Sequence, residues 1–94
     1  MIIVSQDKAT IVNFENIQNI KIEPYGTHIK GKKIYKIFSG NFEGYETELG
    51  TYETEEKAKE VLQEIIQRYI ECNDSFISAG YGYVKNSAYE MPED

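Results

Sequence analysis

A chain of 94 residues with 40% apolar side chains is long enough for one hydrophobic core, so a single domain over residues 1–94 is expected. Sixteen acidic against ten basic residues leave a net charge of −6, which opposes general attraction to duplex nucleic acid or anionic lipid and favours a basic partner. The single cysteine, Cys72, excludes an internal disulfide, residues 1–5 are too short for a signal peptide, and no apolar run approaches the roughly 18 residues of a membrane helix. A cytoplasmic location follows as the expectation.

Ile2, Ile3 and Val4, then Ile11, Val12 and Phe14, are two short apolar runs separated by polar residues, the pattern of an N-terminal β-hairpin. Apolar side chains at consecutive positions predict at least partial cover on each of its faces. Ile17, Ile20 and Ile22 mark a third strand ending at Pro24. Residues 32–38 form the next, with Tyr35 and Ile37 on one face and Ile34 and Phe38 on the other. Turn residues follow over 39–44, and then Tyr45, Thr47 and Leu49 alternate with Glu46 and Glu48 along a strand whose acidic face meets solvent.

The hydrophobic period then changes abruptly to that of a helix. Thr54 stands at the N-cap, Glu55 and Glu56 place negative charge in the first turn, and Lys57 leaves the capping box incomplete. A helix over 55–72 would be roughly 27 Å long, with Asn73 as its stop. Ala58, Val61, Leu62, Ile65, Tyr69 and Cys72 fall in one core-facing stripe. Ile66 and Ile70 lie outside it and widen the apolar surface to about half the circumference, so this flank should meet either the C-terminal segment or a second protomer. Residues 76–84 alternate apolar and small side chains as a last strand or extended arm, and the acidic end at 91–94 should fray. The expected fold is α+β: an antiparallel sheet of four or five strands, meandering through residues 1–53, packed by one long amphipathic helix over 54–73, with an extended C-terminal arm over 74–94.

Little in the chain points to catalysis. Cys72 lies at the C-terminal end of the helix, where a thiolate is disfavoured, and one histidine, His28, with one cysteine is far short of a zinc set. Glu46, Glu48, Glu53, Glu55 and Glu56 could work as acid–base pairs only if burial split their pKa values, and alternation places them in solvent. A non-enzymatic protein without metal or cofactor is expected. Arg68, the only arginine, could grip a phosphate with two parallel hydrogen bonds, or lay its stem along the core edge. Tyr81 and Tyr83, set between glycines, could stack on a base or pack as a strand, and Lys85 and Asn86 follow in the same segment. Arg68, Tyr81, Tyr83, Lys85 and Asn86 are thus the candidate ligand residues, and Ile66, Ile70, Phe76 and Ile77 the candidate interface. Lys30, Lys32, Lys33 and Lys36 form a basic patch suited to no more than a small anion.

The start Met1-Ile2-Ile3-Val4-Ser5-Gln6-Asp7-Lys8, the junction Leu49-Gly50-Thr51-Tyr52-Glu53-Thr54-Glu55-Glu56-Lys57-Ala58 and the ending Tyr89-Glu90-Met91-Pro92-Glu93 together resemble small proteins of Firmicutes and their phages and prophages. That resemblance implies an accessory role antagonising host antiviral defence. One mechanism would be similar to the Thoeris anti-defence sponges, homo-oligomers that bury a small nucleotide signal between protomers. Another would resemble anti-CRISPR proteins, acidic inhibitors that block a host nuclease or other defence protein. A third alternative is a prophage or host accessory regulator.

Overall fold

The computed structural model describes residues 1–26, 33–79 and 88–93, the side chains of 72–79 excepted. The chain is α+β. In order it forms β1 (Ile2–Val4), β2 (Ile11–Asn13), a 3-10 turn (Phe14–Asn16), β3 (Ile17–Gly26), β4 (Lys33–Asn41), β5 (Glu46–Tyr52), the helix α1 (Glu55–Ala79) and β6 (Ala88–Glu90).

The strands divide into two three-stranded sheets, β2-β1-β6 and β3-β4-β5, instead of one sheet of four or five. The 3-10 turn is where the expected meander breaks. The Asn13 side chain accepts the Glu15 N–H at 3.0 Å and closes a tight turn, so β3 leaves in a new direction and pairs with β4, not β2. The first hairpin is built from local hydrogen bonds: Ser5 N–H to Thr10 C=O at 2.8 Å, and an Asp7 carboxylate that accepts from the Ser5 hydroxyl at 2.6 Å and the Ala9 N–H at 2.9 Å. These two bonds hold the Asp7 carboxyl below its usual range, the Ser5 hydroxyl contributing most. Cover on the two faces of this hairpin is unequal: Ile3 is fully buried on one, while on the other Val4 is half-buried and Ile11 63% exposed.

In the second sheet Ile37, Leu49 and Tyr52 are buried, and Ile20, Ile22 and Tyr35 pack partly buried against them. The opposite face carries Lys21, which pairs with Glu23 and Glu46, and Lys36, which reaches Glu48 at 2.8 Å. Both carboxylates raise the Lys21 pKa, Glu23 foremost. The acidic residues of β5 therefore meet solvent with lysines beside them. A register shift between Ile37 and Phe38 leaves Leu49 without a ladder partner and turned into the core at 1% exposure.

Thr54 caps α1 by accepting the Lys57 N–H at 3.0 Å. Ala58, Val61 and Ile65 are fully buried on its core stripe. The helix does not stop at Asn73 but continues to Ala79, because asparagine costs an interior turn only a few tenths of a kcal/mol and the first true breaker is Gly80. Phe76 and Ile77 are accordingly helical positions, not strand or arm.

Residues 88–93 are held, where the sequence predicts fraying over the acidic segment 91–94. Strand β6 lies parallel to β1 and Met91 is 1% exposed, with its N–H on the Val4 carbonyl at 3.0 Å. Burial of Tyr89 and Met91 outweighs the ordering entropy of a terminus. Gln6 ties the pieces together: its side-chain carbonyl accepts the Thr51 N–H at 2.9 Å, and its amide group donates to the carbonyls of Thr51, Pro92 and Glu93 at 3.1, 3.2 and 2.8 Å. Among the described residues no helix is long and apolar enough to cross a membrane.

Candidate functional site

Between α1 and the start of β3 runs a groove of about 330 Å³. Phe14, Ile17 and Ile20 line one bank, and Leu62, Ile65 and Ile66 the other. The 3-10 turn places Phe14 so that its ring stacks on Tyr69, centroids 4.4 Å apart and planes at 23°, which closes one end of the groove with an aromatic pair. On the helix side Ile66 is 43% and Ile70 45% exposed. Both are adjacent on an i, i+4 ridge, so they form one patch and not two isolated side chains.

The chemistry around this patch differs from the rest of the protein. At 100° per residue, Lys59, Gln63 and Gln67 flank Ile66 and Ile70, with the positions of Glu56 and Asp74 at the same angle nearer the helix ends, while Glu60, Glu64 and Glu71 turn further toward the other side of the helix. Gln18 and Asn19 rim the β3 bank. An apolar groove with an amide rim thus lies beside the acidic side of α1, while Ile11, Phe42 and Tyr45 are exposed elsewhere, on or next to turns. Wider depressions of about 480 and 410 Å³ lie near the start of α1, lined mainly by glutamates, threonines, Lys33 and Lys57, with the buried Tyr52 and the half-buried Tyr35 as their aromatic members.

Arg68 sits on the far side of α1 from the groove. Its guanidinium donates to the Ala88 carbonyl at 2.9 Å and lies 5.7 Å from the centre of the Tyr89 ring, so it fastens β6 to the helix. Beside it the Tyr89 hydroxyl donates to the Glu64 carboxylate at 2.7 Å. Burial first, and then that hydrogen bond, hold the Tyr89 pKa well above its ordinary value, and burial pushes Tyr52 up to about 12. These residues make a buttress for the chain end.

Of the expected site residues, Ile66 and Ile70 come together in the groove and Arg68 is parted from them by half a helical turn. Tyr81, Tyr83, Lys85 and Asn86 lie outside the described residues, as do His28, Lys30, Lys32 and the side chains of Cys72, Phe76 and Ile77. The C-terminal segment described, residues 88–93, runs along the Arg68 side and does not cover the Ile66 flank. Sequence reasoning missed Phe14, Ile17 and Ile20 as partners of that flank. The spacing of Ile17 and Ile20 marks apolar strand positions, but nothing local says which helix face they oppose. No protein-family model, curated protein or solved structure matches the chain.

Proposed function

We propose that this protein works by binding and not by catalysis, and that it assembles as a homo-oligomer through the groove between α1 and β3. The observation carrying this reading is the exposed pair Ile66 and Ile70 beside an apolar channel. Completing the burial of a half-exposed isoleucine stabilises an assembly by roughly 1 kcal/mol, so four of them across a two-fold axis supply about 4 kcal/mol before any backbone contact. A surface that leaves this gain unused in the single chain is suited to association.

Within the phage-type setting that the sequence resembles, the assembly would antagonise a host defence. Blocking a basic protein is the better-supported mechanism, because the carboxylates lie away from the groove and stay available to an oppositely charged partner. Sequestering a nucleotide signal is less supported: the only arginine is engaged with Ala88 and Tyr89. Light scattering over a concentration series tests the assembly, with a multimer expected in the micromolar range and a monomer throughout refuting it. Thermal shifts with cyclic and ADP-ribose-type nucleotides test the cargo. A shift abolished by Arg68→Ala or Tyr81→Ala would restore the sponge reading, whereas salt-sensitive capture of a basic host nuclease supports the blocker.

A further inference from the structure

We infer that the groove is filled by a second copy of this chain joined strand to strand: β3 of one protomer pairs antiparallel with β3 of its partner about a two-fold axis, and the two Ile66–Ile70 flanks close over the joined sheet. This rests on the reading of the flank as an assembly surface and adds the mode of joining.

Among the described residues β3 pairs with β4 alone, so the other edge of a ten-residue strand carries backbone groups with no ladder partner. From Asn19 to Gly26 the pairing with β4 is regular, which makes the direction of each amide alternate strictly. Pro24 has no N–H and is accommodated in a strand where its nitrogen faces the open edge. Ile20 and Ile22 share its phase, so their N–H and C=O groups point outward too, while their side chains pack toward the core. Among the described residues the edge thus presents unpaired backbone beside the apolar groove.

Charge selects the occupant. Two chains of −6 repel over most of their surfaces, but Gln18, Asn19, Gln63 and Gln67 are neutral and Lys59 is cationic beside Ile66, so repulsion is weaker on this face than on the Glu60, Glu64 and Glu71 side of the helix. The strand is also self-complementary. With Ile22 on the axis, Lys21 stands opposite the partner's Glu23 and Ile20 opposite the partner's Pro24, so opposite charges meet across the new pair. The same register gives two backbone bonds between the Ile22 residues and one from each Ile20 N–H to the Pro24 carbonyl across the axis, with the missing proline donor costing only the return bonds. A basic partner would instead favour the acidic side of α1.

Amide hydrogen exchange on the full chain, read at single residues, tests this together with light scattering. At concentrations where the protein is dimeric, the Ile20 and Ile22 amides should exchange at least tenfold more slowly than on dilution to monomer. The double variant Ile66→Glu/Ile70→Glu should be monomeric and lose that protection while the β4 and β5 amides keep theirs, which shows that it folds. A dimer whose Ile20 and Ile22 amides exchange freely overturns strand pairing and leaves flank assembly standing. A monomer at every concentration overturns both. Protection of the same amides in a monomer by an added apolar peptide overturns the second copy as occupant.

Discussion

Replacing Gln6 by alanine removes a side chain that bonds to β5 and to residues 92–93 together, and leaves the Tyr52 hydroxyl on the Pro92 carbonyl at 2.8 Å as a remaining link. The Gln6 amide group has two hydrogens shared among the carbonyls of Thr51, Pro92 and Glu93, and its carbonyl satisfies the Thr51 N–H at 2.9 Å. That is three hydrogen bonds' worth of donors and acceptors, each about 1 kcal/mol net, discounted to roughly 2 kcal/mol because the Glu93 contact is exposed and exchanges for water. For a domain of this size the loss lowers Tm by about 8–16 °C. Urea denaturation monitored by circular dichroism measures it. Gln6→Glu keeps the acceptor but loses both donors and points a charge at three carbonyls, so it should cost at least as much as Gln6→Ala. Exchange at Tyr89 and Met91 should accelerate in both variants, since the clamp reaches the residues just beyond β6. A loss below about 0.5 kcal/mol, or an undisturbed chain end, would refute the view that Gln6 joins the two sheets.

Gly50→Ala should destabilise by about 1–3 kcal/mol in the same assay, because an added Cβ would come within 3.0 Å of the Tyr52 hydroxyl and 3.3 Å of Met91. Lys8 has a φ of 63° at the β1–β2 turn, so Lys8→Gly should stabilise by about 0.5–1 kcal/mol, the exposed ion pair with Glu90 contributing little against it. Tyr52 and Tyr89 hold their protons more tightly folded than unfolded, so their contribution is whole below pH 10 and lost as pH rises from 10 toward 12. For Tyr52 alone that amounts to roughly 3 kcal/mol. Urea midpoints measured from pH 9 to 12 should fall along this range, and Tyr89→Phe, which has nothing to ionise, should flatten the fall while weakening the fold at neutral pH.

Sequence alone determined the features that depend on neighbours a few residues apart. The Thr54 cap needed only a hydroxyl three residues before the Lys57 N–H, and three strands between Ile17 and Tyr52 were legible as apolar runs, although β3 continues past Pro24 to Gly26 and β4 takes in 39–41, read from sequence as turn. The surplus width of the apolar stripe at Ile66 and Ile70 was equally local, since it follows from 100° per residue. Tertiary structure decided the rest. The parallel pairing of β1 with β6 joins residues from opposite ends of the chain, and neither Ile2 nor Tyr89 carries any sign of the other. Asn73 reads as a stop by local preference, yet that preference is a few tenths of a kcal/mol and the helix runs through it. Arg68 reads from sequence as a phosphate grip or as a stem along the core edge, and only the fold sets its guanidinium against the Ala88 carbonyl. Only folding brings Phe14, Ile17 and Ile20 across from Leu62 and Ile66, because a groove is made by two surfaces and each strand or helix encodes just one of them.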